Sequence, residues 1–125
     1  MTVRVLIVDD QLPFRAAARL VVASTPGFEV AGEAESGEDS IEKARDLDPD
    51  LVLMDVNLPG INGLEATRRI VDAGHAVVLL LSTYDEEVYG PRVAESGAAA
   101  YIPKSTFGPD LLAEAWAAAS GSVSA

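Results

Sequence analysis

Five times along this chain a short, strongly apolar run is followed by a longer amphipathic stretch, and that alternation restricts the fold more than any other feature of the sequence. The runs Val3 to Val8, Phe28 to Ala31, Leu51 to Met54, Ala76 to Leu81 and Ala98 to Ile102 have strand length, and three of them are almost unbroken Val, Ile and Leu. Such strands suit a parallel sheet covered on both faces, because neither side of the strand then meets water. Between the runs, Phe14, Ala17, Ala18, Val21 and Val22 recur at helical spacing. Ser36-Gly37 announces a second helix over Glu38 to Leu47, which Pro49 ends. A third is expected over Gly63 to Asp72, with Leu64, Thr67, Arg68 and Val71 at helical spacing and Gly74 just past its end. Gly90-Pro91 would interrupt a helix begun at Asp85, so the fourth is expected to start near Gly90 with Pro91 in its first turn. The last, Gly108 to Ala119, places Leu112, Ala115, Trp116 and Ala119 toward the interior.

Five βα units joined by right-handed crossovers make an open, doubly wound sheet, and sheets of that kind bind ligands beyond the carboxyl ends of their strands. The 125 residues, 49% of them hydrophobic, fit one domain over residues 1–119 that buries about two-thirds of its extended-chain surface. Ser120 to Ala125 is small and polar, as the start of a linker or tail would be. With no cysteine, disulfides, thiolate metal sites and Cys nucleophiles are excluded, and a cytoplasmic location is expected. No apolar run approaches the roughly 20 residues of a membrane span, so no membrane partner is expected. Nine basic residues scattered among twenty acidic ones give a net charge of −11, which repels a nucleic-acid backbone.

The polar residues at the strand ends escape the reading of a merely solvated surface. Strand one stops at Asp9-Asp10, strand three at Asp55 and strand four at Ser82-Thr83, and Lys104 follows strand five at once. Neighbouring strands lie about 5 Å apart, so the three aspartates crowd together. Two like charges at about 4 Å repel by roughly 4 kcal/mol at an effective dielectric near 20, which calls for a compensating cation. All-oxygen ligation without His or Cys points to Mg²⁺ rather than Zn²⁺. Metal and ammonium together favour an incoming dianion, and a carboxylate at their focus, Asp55, can attack phosphorus. The Ser82 hydroxyl on the adjacent strand is placed to donate to a phosphoryl oxygen.

In this ordered set the chain resembles the receiver domains of two-component response regulators, from Val3 to about Ala119. The residues that carry the likeness are Asp9-Asp10, then Asp55 followed by Pro59-Gly60-Ile61-Asn62-Gly63, then Ser82, then Lys104. The resemblance implies a flavodoxin-like α/β fold of five parallel strands, order 2-1-3-4-5, with five helices. It implies Mg²⁺ held by Asp10 and Asp55, by Asp9 directly or through water, and by the backbone carbonyl of Asn57. It further implies that Asp55 is the phosphoacceptor for a sensor histidine kinase, that Ser82 and Lys104 hold phosphoryl oxygens, and that Tyr101 is a switch aromatic. Ser82 is preferred to Thr83 because its interval to Lys104 matches the family. Asp9-Asp10-Gln11 with Phe14-Arg15, Ser82-Thr83-Tyr84-Asp85 and Lys104-Ser105 look like the NarL/FixJ-type group. That likeness implies a transcription regulator whose DNA contacts are made by a helix-turn-helix domain absent from this chain, with homodimerisation on phosphorylation. Two departures stand out: Ser105 replaces the Pro found in many receivers, and Gly90-Pro91 falls in the fourth helix.

Blander readings stand beside these. A single Asp is often a cap or turn residue, and it is the set of three that favours chemistry. Tyr101 at a strand end is equally a core aromatic, and Trp116 reads as core. His75 lacks a second ligand at metal spacing and reads as surface. Pro59, Gly60 and Gly63 shape the loop beside Asp55. Three rival functions remain. A haloacid-dehalogenase-like phosphatase wants a second Asp where Asn57 stands. A nucleotide- or flavin-binding module wants a Gly-rich turn where Asp9-Asp10 stands. An interaction-only pseudo-receiver would not need the full acidic set.

Overall fold

The computed structural model describes residues 2–83 and 92–120. Five parallel strands, β1 (Val3–Val8), β2 (Phe28–Ala34), β3 (Leu51–Asp55), β4 (Val77–Ser82) and β5 (Ala100–Pro103), form one sheet in the order β2-β1-β3-β4-β5. Helices α1 (Leu12–Ala23), α2 (Gly37–Leu47), α3 (Gly63–Ala73), α4 (described over 92–96) and α5 (Pro109–Ser120) connect and flank them. Strand order reverses at β1, so the crevice between β1 and β3 is the topological switch point at which such sheets gather ligands.

Alternation along each strand divides the core in two. Val5, Ile7, Leu51, Leu53, Leu79, Leu81 and Ile102 face one side, where they meet Ala18 and Val22 of α1 and Leu112 of α5. Leu6, Val8, Val52, Met54, Val78 and Leu80 face the other, against Leu64, Ala66 and Ile70 of α3 and Val93 of α4. Most of these side chains are fully enclosed, each contributing about 1.5–3 kcal/mol by leaving water. The helix ends are capped as local chemistry demands. The Ser36 side chain accepts from the Asp39 amide and the Asn62 side chain from the Glu65 amide, each at 3.0 Å. At the far end of α2, Asp48 turns left-handed with φ 49°, ending the helix one residue before Pro49.

The element pattern matches expectation, and the differences have physical causes. β2 runs to Ala34 rather than Ala31, because Gly32, Glu33 and Ala34 pair with Leu6, Ile7 and Val8 after a register shift. Gly32 and Glu33 hide this extension from an apolar pattern, and Arg15 neutralises Glu33 at 3.1 Å. β3 and β4 each reach one residue further, to Asp55 and Ser82, while β4 begins at Val77 and β5 at Ala100. On α1, Ala17 is exposed and Arg15 is buried instead, and on α3 the inward positions are Ala66, Thr67 and Ile70 rather than Arg68. The expected start of α4 at Gly90-Pro91 lies outside the described residues. Trp116 is half-buried and meets Phe28 edge-on, with ring centroids 6.5 Å apart. No described peptide bond is cis, and no described helix is long and apolar enough to cross a membrane.

Gly63, the first residue of α3, lies directly under the end of β3. A Cβ there would stand 2.1 Å from the Asp55 carbonyl oxygen and 2.8 Å from the Val56 Cα, both backbone atoms that cannot swing aside. Gly63→Ala is therefore expected to cost about 3 kcal/mol in urea denaturation, as overpacking against fixed backbone does. Gly74→Ala, with nothing within 4 Å, is expected to stay within about 0.5 kcal/mol of wild type. Equal stabilities of the two variants would contradict the close approach of α3 to the end of β3.

Candidate functional site

Register brings the strand-end residues together. Val8 lies opposite Met54, so the residues that follow, Asp9 and Asp55, stand side by side at the edge of the β1/β3 crevice. Asp55 pairs with Leu81 and Ser82 pairs with Pro103, which sets Lys104 at the same edge. One carboxylate oxygen from each of Asp9, Asp10 and Asp55 lies within 4.8 Å of the others. Asp9 is fully buried, Asp55 is 4% exposed and Asp10 is open to solvent.

Lys104 reaches into this group. Its Nζ donates to Asp9 Oδ2 at 2.6 Å and stands 3.6 Å from Asp55 Oδ1, with the ring centroid of Phe14 at 4.4 Å. Backbone amides hold the carboxylates in place: Gln11 N–H donates to Asp9 Oδ1 at 2.8 Å and Asn57 N–H to Asp55 Oδ1 at 3.2 Å. Burial, and next the charge of Asp9, push the Asp55 carboxyl up from 3.8 to about 6, with a smaller push from Asp10; Lys104 and the Asn57 amide oppose the shift. Three carboxylates against one ammonium leave the charge deficit of a divalent cation, and the donors are all oxygen, so the set fits Mg²⁺.

Side-chain parity separates the other two candidates from the acidic group. Asp55 continues the Leu51 and Leu53 series, which faces α1 and α5. Ser82 continues the Val78 and Leu80 series on the opposite face, where half-buried Tyr101 also packs. Ser82 is fully buried at the end of β4, whereas Thr83 is exposed beyond it. Tyr84 and Asp85 lie outside the described residues.

The loop after Asp55 is fixed from α2. Gly60 adopts φ 73°, a conformation glycine takes without strain, and the Glu38 carboxylate accepts from the Ile61 amide at 3.3 Å. His75 is exposed at the opposite end of the sheet, 3.6 Å from Asp48, as a surface residue there should be.

Sequence reasoning passed over Arg15 and Phe14 as site residues. Arg15 is 7% exposed; it donates to the Asp9 carbonyl at 2.7 Å and to Glu33 at 3.1 Å, tying the acidic turn to α1 and β2. The available signal was a charged residue inside the apolar stripe of α1, which requires buried partners.

Comparison with known proteins agrees with this geometry. Residues 5–116 match the family described as the response regulator receiver domain. The chain belongs to that family. Among its relatives, the response regulator GacA of Pseudomonas viridiflava is 43% identical over 103 residues, covering 82% of this receiver and 48% of the relative. The nitrate/nitrite response regulator protein NarL of Escherichia coli K12 is 37% identical over 120 residues, covering 94% and 55%. A two-component response regulator of the LuxR family from Aurantimonas superposes with TM-score 0.87 at 32% identity, covering 97% of this chain and 87% of that one. The receiver thus spans about half the length of the curated relatives it matches. Membership favours the receiver reading over the phosphatase and the nucleotide-binding module, and NarL among the relatives agrees with the subgroup suggested by sequence.

The raised Asp55 carboxyl has a thermodynamic consequence. Its folded value lies above its ordinary one, so the folded state binds the proton more tightly than the unfolded state does. Its contribution to stability is complete below pH 3.8 and is lost as pH rises through about 6. In chelator, urea denaturation of Asp55→Asn should match wild type near pH 4 and exceed it by about 3 kcal/mol near pH 7.5. A difference that does not change with pH would contradict the burial and neighbouring charge that raise the Asp55 carboxyl.

Proposed function

We propose that this receiver accepts a phosphoryl group on Asp55 from the phosphohistidine of a sensor histidine kinase and so switches the output of a two-component response regulator. The observation that carries the reading is a buried carboxylate at the switch point of the sheet, flanked by two further carboxylates and one partly buried lysine.

Asp10, Asp55, Asp9 and the backbone carbonyl of Asn57 are the groups that would hold Mg²⁺. When bound, the ion supplies positive charge that offsets both the carboxylates and the phosphoryl oxygens. The chain's own residues do the rest. An oxygen of ionised Asp55 attacks phosphorus in line with the departing imidazole nitrogen: the P–N bond breaks, the P–O bond forms, and the histidine retains the electron pair. Lys104, already 3.6 Å from Asp55, shifts toward the developing phosphoryl charge. The Ser82 hydroxyl donates to another phosphoryl oxygen. Ser82 and Tyr101 share one face of the sheet, so an inward movement of Ser82 is expected to draw Tyr101 with it and bias α4. Water later hydrolyses the acyl phosphate slowly, so the chain catalyses single events on itself and is no multiple-turnover enzyme.

In the regulator as a whole, residues 1–119 act as the receiver and residues 120–125 begin the linker. Output is carried by a DNA-binding helix-turn-helix domain elsewhere in the full-length protein, in the cytoplasm, with homodimerisation as the phosphorylated response. Subgroup likeness supports this extension, because relatives include the transcriptional regulatory protein DegU of Brevibacillus brevis.

Incubation with acetyl phosphate and Mg²⁺, followed by mass spectrometry and peptide mapping, should place one phosphoryl group on the peptide containing Asp55. Asp55→Asn should abolish labelling, and labelling at the wild-type rate in that variant would overturn the acceptor assignment. Lys104→Met should fold and label about a hundredfold more slowly, as loss of one preorganised charge at a transition state does.

A further inference from the structure

The Lys104 side chain is 14% exposed, and its ammonium has an aromatic neighbour that the phosphotransfer reading does not use. The ring of Phe14, on the first turn of α1, lies 4.4 Å from Nζ by its centroid. Phe107, just beyond Lys104 in the chain, packs on Phe14 with centroids 6.3 Å apart at 42°. The ammonium therefore meets both the carboxylates of Asp9 and Asp55 and an aromatic face.

We infer that Phe14 is a positioning residue for phosphotransfer, acting through a cation–π contact that keeps the Lys104 charge at the mouth of the acidic cluster. This inference rests on the proposed phosphoacceptor role of Asp55. A lysine has a long, flexible stem and a strongly hydrated head, so burial alone would send it back toward water. The ring replaces part of that hydration through its quadrupole. A ring also does this without consuming an N–H donor or bringing a negative charge. A third carboxylate in its place would hold the lysine equally well, but it would repel the incoming phosphoryl dianion and keep the lysine for itself. With Phe14 as the backstop, the ammonium retains a donor for a phosphoryl oxygen while it bridges Asp9 and Asp55.

The test replaces Phe14 in the full chain by mono-, di- and trifluorinated phenylalanine, which preserve the ring's shape while draining its quadrupole, and by Tyr and Leu. The rate of Asp55 labelling by acetyl phosphate is measured at saturating Mg²⁺. In the metal-free protein, the NMR shifts of the Lys104 ε-methylene protons report contact with the ring. The inference predicts a stepwise fall in rate with fluorination and a loss of about three- to tenfold in Phe14→Leu. Phe14→Tyr should retain the wild-type rate, and the upfield ring-current shift should vanish only in Phe14→Leu. Equal rates across the fluorinated series, with wild-type protein labelled normally, would overturn the inference and leave the acceptor assignment intact. Failure of the wild-type protein to label on Asp55 would overturn the phosphoacceptor reading itself. Unfolding of Phe14→Leu would not blunt the test, because the fluorinated series decides it alone.

Discussion

Repulsion among three carboxylates is the constraint around which the rest of the structure is arranged. Asp9, Asp10 and Asp55 present oxygens within 4.8 Å of one another, two of them from side chains almost without solvent. Left alone, such a group would splay apart or take up protons. Strand register holds it together: Val8 is locked opposite Met54, and both strands are buried on both faces, so neither can slide without exposing a row of Val, Leu and Ile. Hydrophobic burial spread through the sheet thus sustains a local electrostatic strain at its edge. Lys104 relieves part of that strain, and under the proposed function a divalent cation would relieve more of it. The proposed phosphoryl transfer would then take place where compensating charge is already organised.

The two faces of the sheet divide the work. Toward α1 and α5 lie Asp55 and the Lys104 ammonium, with Phe14 against Lys104 and Arg15 against the Asp9 carbonyl. Toward α3 and α4 lie Ser82 and Tyr101, beside the core that contains Val93. Under the proposed function, chemistry at the edge would act on the second face through Ser82 without disturbing the anchoring of the first. Gly63 permits α3 to start directly beneath Asp55, and Glu38 ties the intervening loop to α2, so the segment around Asp55 is held from several elements.

Much of this was legible in the sequence because the signals were strong and local. Unbroken apolar runs gave the strands, and the alternation gave a parallel sheet whose carboxyl ends had to collect Asp9, Asp10, Asp55 and Lys104. Features that depend on neighbours distant in sequence were not legible. The extension of β2 through Gly32 and Glu33 is written in its pairing with β1 and in the Arg15 ion pair, which no apolar pattern can report. Arg15 in the place of Ala17 on the buried face of α1 has the same origin, since a guanidinium goes inside only where carbonyl and carboxylate partners await it. Phe14 read as an ordinary apolar helix residue; its value came from Lys104, ninety positions away.

Thermal denaturation of the metal-free protein across a Mg²⁺ titration tests the charge-cluster account most directly, because a ligand that binds only the folded state stabilises it logarithmically with concentration. The account predicts a saturable rise in melting temperature for wild type that is lost in Asp10→Asn and in Asp55→Asn. A melting temperature indifferent to Mg²⁺, or a rise of equal size in those variants, would contradict it.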